Sequence, residues 1–210
     1  MIPKIEWFHW TGPEMSKLRR RGIASFKELN PDFTVRVVDT YPDVPRHLSY
    51  PQQADWTWWH YLNTLGGFLV ATDIVFVRPI PDYWLGFDLV GSRNGGSGIF
   101  HNALVGCTPE HPYVKLLLEK CQAVLDIHGD KRPQDPQAFG PSLSQATPVE
   151  HPMLDLPIET VCPVRWNDTA RLWFMDAVLV PHDCIGVHWY GGSKDCEEHT
   201  GKLAEIRLHG

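Results

Sequence analysis

The chain has 210 residues, of which 43% are hydrophobic and 21% charged, enough for one globular domain with a sizeable core. Its formal charge of −6 gives no general pull toward a polyanion. No stretch approaches the ~20 apolar residues of a membrane span, and Met1 to Glu6 lacks a signal-peptide core, so a soluble, cytoplasmic chain is expected.

Lys4 to Trp10 reads as a strand closed by Thr11-Gly12-Pro13. From Glu14 to Leu29 the apolar residues Met15, Leu18, Ile23, Phe26 and Leu29 fall at helical spacing, and Asn30-Pro31 stops the helix. The basic run Lys17 to Arg21 reads as mostly a solvated face of that helix. Phe33 to Val38 alternates like a strand, and Tyr41 to Pro51, with its three prolines, reads as a loop. Gln52 to Leu65 is a second helix, begun by Pro51 and capped by Gly66, with Trp58, Trp59, Leu62 and Leu65 as its buried stripe. Asp55 lies one turn before Trp58 and Trp59 and points to the same side.

Phe68 to Val70 and Ile74 to Val77 are short apolar runs, rich in β-branched residues, that read as strands buried on both faces. Asp73 interrupts them. A carboxylate between buried strands is expensive unless compensated, and a cation is the obvious compensation. The alternative is a solvated turn aspartate. Phe87 to Ser92 is a further strand, 93–98 a flexible loop, Pro109-Glu110 to Leu125 a helix, and Asp126 to Gln137 a mobile loop. Val178 to Val180 and Ile185 to His188 are strand-like. The five cysteines are odd in number and scattered, which fits free thiols in a reducing compartment.

Ala54-Asp55, Gly66-Gly67, Ala71-Thr72-Asp73 and Arg78-Pro79 together resemble the sugar-binding, DXD-containing region of the GT-A nucleotide-sugar glycosyltransferases. The branch resembled is glycosyltransferase family 32 with the large clostridial toxins. Two positions depart from its pattern: Ala71 stands where the first DXD aspartate is usual, and Trp58 where an arginine is usual. Pro3 to Gly12, the asparagine-alanine segment around Asn102, Phe139 to Leu143, and Val187 to Ser193 resemble other segments of the same family.

The resemblance implies an α/β, Rossmann-like GT-A fold with a mostly parallel central sheet, over a single domain spanning 1–210. It implies a metal-dependent, retaining transfer of a sugar from a UDP- or GDP-sugar to an acceptor hydroxyl. Trp10 is then expected to stack on the nucleobase, worth ~1–3 kcal/mol. Asp55 and Asn102 would hold the sugar, with Asp73 and His188 on the metal and Lys194 near the diphosphate. Asp73 and Asp55 are the expected catalytic residues. A carboxylate with an imidazole suits Mn²⁺, with Mg²⁺ as the alternative. Eukaryotic relatives of this type usually carry a membrane anchor, so a bacterial or viral source is expected.

Ala71 and Trp58 also motivate a non-catalytic sugar-nucleotide or glycan-binding module. A hydroxymethylated base in viral DNA is an alternative acceptor, permitted by the Lys17–Arg21 cluster. His182, Cys184, His188, Cys196 and His199 form a rival zinc set, against which the missing CxxC spacing argues. No GxSxG, GxGxxG or GxxxxGK[ST] is present, which removes the commoner hydrolase, dinucleotide and P-loop readings.

Overall fold

A computed structural model of the protein describes residues 1–12, 14–93, 100–169, 172, 178–191 and 206–208. In chain order the main elements are β1 (Ile5–His9), α1 (Lys17–Leu29), β2 (Thr34–Val38), α2 (Tyr50–Leu65), β3 (Gly67–Val70), β4 (Ile74–Phe76), β5 (Leu89–Arg93), β6 (Phe100–Cys107), α3 (Pro112–His128), α4 (Pro141–Gln145), β7 (Leu154–Leu156), β8 (Val178–Val180), β9 (Gly186–His188) and β10 (Ile206–Leu208). They fall into two compact units. The first comprises Met1–Thr11, Thr34–Val70 and Asp82–Pro157; the second comprises Gly12–Phe33, Ala71–Pro81 and Ile158–Gly210.

The first unit is built on a six-stranded sheet of order β2-β1-β3-β6-β5-β7. Three of its five ladders are parallel (β1–β2, β1–β3, β5–β7), and β6 runs antiparallel to both β3 and β5. The chain leaves β1 to one side for β2 and returns to its other side for β3. That reversal is a topological switch point, and Trp10 follows β1 directly at it. All four β3 residues are buried, as their continuous apolar character requires. Helices α2 and α3 and the segment before α4 pack on the sheet, with Trp59, Leu62, Tyr113, Val114, Leu117 and Phe139 in one core with Trp7 and Leu69.

α2 starts two residues before the predicted Gln52 because Ser49 and Gln52 form a capping box. Its buried stripe runs through Gln52, Asp55, Trp56, Trp59 and Leu62 rather than ending at Leu65, which is 45% exposed; Trp58 is half-buried. The glycine pair behind it is obligatory. Gly66 and Gly67 have φ of 64° and 100°, and a Cβ on Gly66 would stand 2.8 Å from Cys107 O.

In the second unit, α1 packs on β4, and β4 pairs antiparallel with β9. Ser16 caps α1, so the helix begins at Lys17 rather than Glu14. Gly22 allows the close approach, since a Cβ there would meet Thr72 O at 2.5 Å. Ser25 Oγ donates to Gly22 O at 2.7 Å and accepts the Phe76 N–H at 2.9 Å. Asn30 ends the helix and accepts the Ile80 N–H at 2.8 Å. Leu18, Val75, Val164, Val187 and Trp189 lie in its core, and β10 pairs with β8.

Candidate functional site

Each unit carries one polar cluster that includes two of the expected site residues. In the second unit the register of β4 and β9 sets Ile74 opposite His188. Asp73, the residue before β4, therefore comes beside His188, and its carbonyl accepts the Trp189 N–H at 2.9 Å. Asp73 Oδ1 stands 3.1 Å from His188 Nε2, and Oδ2 accepts the Gly191 N–H at 2.5 Å. His188 Nδ1 faces Cys162 Sγ at 3.6 Å, and the Tyr190 ring lies over the imidazole, centroids 4.3 Å apart. Arg19 donates to Gly191 O at 3.3 Å.

Asp73 is thus neither a solvated turn residue nor an uncompensated charge, because its partners are built into the fold. Burial alone would raise its carboxyl. The charge of His188, its hydrogen bond, the Gly191 N–H and the Arg19 charge outweigh that and hold it at about 2. Burial opposes the His188 charge as well, yet the Asp73 charge and hydrogen bond lift the imidazole to about 10. The pair is therefore an ion pair across the neutral range.

The same geometry suits a divalent cation. Two cis ligands about 2.1 Å from an octahedral ion lie roughly 3.0 Å apart. The 3.1 Å between Asp73 Oδ1 and His188 Nε2 matches that spacing. A cation held there would replace the Nε2 proton, with Asp73 Oδ2 still accepting the Gly191 N–H. Among the described residues no three His, Cys, Asp or Glu side chains form a metal-holding group, so the remaining ligands would have to come from elsewhere. The other members of the rival zinc set behave differently: His182 is exposed beside Asp183, and Cys184 donates to Gly186 O at 3.0 Å. Cys196 and His199 lie outside the described residues, as does Lys194.

In the first unit, Asp55 on α2 is 6% exposed and accepts from Asn102 Nδ2 on β6 at 3.2 Å. Burial pushes its carboxyl up to about 8, partly offset by the Asn102 bond. Gly140 closes over it, since a Cβ at Gly140 would stand 2.2 Å from Asp55 Oδ2. Two other α2 side chains hold the segment that ends there. Gln52 Nε2 donates to Pro133 O at 3.1 Å and Asp135 O at 2.8 Å, and Trp59 Nε1 donates to Phe139 O at 2.7 Å. The second half of the expected mobile loop is therefore tethered, and its first residues, to His128, are helical. Trp10 is half-buried behind β1, its backbone N–H bonded to Val38 O at 3.0 Å.

No protein-family model matches the sequence, and no curated protein does. Solved structures do match in shape. PaToxG glycosyltransferase is similar with a TM-score of 0.54 at 14% identity, over 70% of this chain and 68% of that one. A glycosyltransferase involved in the glycosylation of the major capsid of PBCV-1 is similar with a TM-score of 0.51 at 12% identity, over 95% of this chain and 99% of that one.

The fold is a glycosyltransferase fold.

At such low identity the likeness concerns the path of the chain, and each site residue of this glycosyltransferase fold stands on its own geometry. Three of these residues, Arg19, Cys162 and Tyr190, receive no role from the sequence, whereas Gly191 lies in the family-like segment Val187 to Ser193. Arg19 was readable: it precedes Ile23 by four and Phe26 by seven, which places it on the buried stripe of α1. By contrast, Arg20 and Arg21 form exposed pairs with Glu14 and Glu28. Cys162 and Tyr190 carry no local signal, because backbone bonds between the segment 158–162 and the β9 region bring Cys162 to His188, and Tyr190 meets the same ring.

Proposed function

We propose that the chain is a glycosyltransferase that moves a sugar from a nucleoside-diphosphate sugar to an acceptor hydroxyl, with a divalent cation and with retention at the sugar carbon. The observation that carries the reading is the Asp73–His188 pair, spaced for one cation and set by strand register within a glycosyltransferase fold. Mn²⁺ or Mg²⁺, when bound, would supply Lewis-acid stabilisation of the departing diphosphate.

Asp73 offers Oδ1 while Gly191 keeps its other oxygen in place. His188 would hold the cation through Nε2, the ring nitrogen that faces Asp73. The Arg19 guanidinium, which donates to Gly191 O, adds positive charge beside Asp73, favourable to the diphosphate. Asp55 accepts hydrogen bonds from sugar hydroxyls, with Asn102 fixing one of its oxygens. Trp10 offers an indole face to the nucleobase at the switch point of the sheet, where open α/β sheets bind ligands. The donor is a UDP- or GDP-sugar.

The test is release of free sugar and nucleoside diphosphate from a panel of nucleotide sugars with Mn²⁺, without added acceptor. Parent protein should hydrolyse at least one donor slowly, and Asp73→Asn should abolish the activity. Tight donor binding with no hydrolysis, and no transfer to any acceptor, would leave the chain a sugar-nucleotide-binding module. That second reading draws on Ala71, whose methyl group replaces a carboxylate.

A further inference from the structure

Both ring nitrogens of His188 have a partner. Nε2 faces Asp73 Oδ1 at 3.1 Å, and Nδ1 faces Cys162 Sγ at 3.6 Å. The two nitrogens lie on different edges of the ring, so a cation shared by Asp73 and Nε2 leaves the sulfur contact untouched.

The sulfur is not there by loose packing. The Cys162 N–H donates to Ile158 O at 2.9 Å. On the other side, the His188 N–H donates to Val161 O and the Ile185 N–H to Thr160 O, each at 2.9 Å. Backbone bonds therefore fix the segment 158–162 alongside β9 and fix Cys162 against the imidazole. Tyr190 covers the ring face and is itself tied by its hydroxyl, which donates to Val164 O at 2.7 Å. With only 2% of Cys162 exposed, a substrate does not reach the thiol, which rules out a nucleophilic role.

A neutral imidazole carries one N–H. On Nε2, that hydrogen blocks ligation. On Nδ1, it leaves Nε2 free to ligate and itself needs an acceptor. Among the described residues the Cys162 sulfur is the side-chain group at hydrogen-bonding distance from Nδ1.

We propose that Cys162 is a positioning residue for the cation: its sulfur accepts the Nδ1–H of His188 and so holds the ring with Nε2 turned toward the cation that Asp73 would share. This rests on the metal role proposed for Asp73 and His188. The fold uses a buried thiol where metal-binding histidines more often have a carboxylate or carbonyl behind them.

The experiment measures Mn²⁺ affinity of the full chain in the presence of UDP, reading free Mn²⁺ by electron paramagnetic resonance. The parent is compared with Cys162→Ala, Cys162→Ser and His188→Ala. Cys162→Ala should bind Mn²⁺ about 10- to 100-fold more weakly, the usual consequence of losing such an outer partner. Cys162→Ser keeps an acceptor and should recover most of that loss. In parallel, ¹⁵N spectra of the parent with UDP and Mg²⁺ should show His188 protonated at Nδ1. Parent-like affinity in Cys162→Ala, with His188→Ala impaired, overturns the proposal and leaves the thiol as packing. A fall in Cys162→Ser as deep as in Cys162→Ala overturns it too, as does a parent spectrum with Nδ1 unprotonated. If His188→Ala itself binds Mn²⁺ like the parent, the metal reading has failed and the proposal falls with it.

Discussion

Asp55 and Asp73 are both buried carboxylates, and their surroundings send them in opposite directions. Asp73 meets an imidazolium, an N–H and a guanidinium charge; Asp55 meets one amide and otherwise burial. With a folded value of about 8 against an ordinary 3.8, Asp55 keeps a proton that the unfolded chain has lost. Its contribution to stability is therefore complete below pH 3.8 and is lost as the pH rises toward about 8. Within that window the slope is at most about 1.4 kcal/mol per pH unit. Glu6 on β1, wholly buried and raised chiefly by that burial, acts with the same sign. Asp55→Asn should raise the melting temperature of the ligand-free protein at pH 8, with the gain shrinking toward pH 4, and should at the same time cut donor turnover. Equal melting shifts at both pH values would mean that Asp55 is already ionised without ligand. A stabilising change that removes activity is the pattern expected of a carboxylate kept for a ligand rather than for the fold.

Among the elements, α2 does two jobs with one face. Its apolar members Trp56, Trp59 and Leu62 fill the core, while Gln52, Asp55 and the Trp59 indole N–H reach the segment 133–140. These three positions are spaced i, i+3, i+7, so a single helix rotation sets all of them. Gln52 also accepts the Ser49 N–H at 2.9 Å, which ties the helix start to the same segment. Gln52→Leu leaves Pro133 O and Asp135 O without their donor and should cost ~1–3 kcal/mol. Hydrogen exchange at the Gly140 amide, bonded to Gln137 O at 3.0 Å, should accelerate in that variant. Unchanged exchange there would show that the tether does not hold the segment. β4 and β9 work differently. Each is only three residues long, and their pairing register alone brings Asp73 to His188.

Across the whole molecule the two units are interleaved in sequence, three segments each, so no single cut separates them. A chain ending at residue 157 keeps α1 and β4 but loses β9 and the core residues Val164, Leu172, Val180, Val187 and Trp189. That truncated chain should bind a hydrophobic dye, and its Phe76 amide, bonded to Ser25 Oγ in the full protein, should exchange rapidly. Protection of Phe76 equal to that of the full chain would show that α1 and β4 hold together without β9.

Much of the order of elements was legible in the residues: continuous apolar runs gave β3 and β4, helical spacing gave α1 and α2, and the glycine pair marked the end of α2. The boundaries moved where caps intervened, at Ser16 and at the Ser49–Gln52 box. β6, eight residues long, was marked only by the likeness of the segment around Asn102 and not as a strand, whereas β7 and β10 were missed because three-residue strands have too few positions to show a period. Local sequence also singled out Asp55, Asp73, Asn102 and His188, since burial of a charge or a known motif leaves a local mark. Which of them meet was decided by tertiary structure alone. Asp55 finds Asn102 across 47 positions and Asp73 finds Gly191 across 118, and such distances are bridged only by sheet order and register. For the same reason Cys162 reads as one scattered cysteine in the sequence and becomes a partner of His188 only when the segment 158–162 lies along β9.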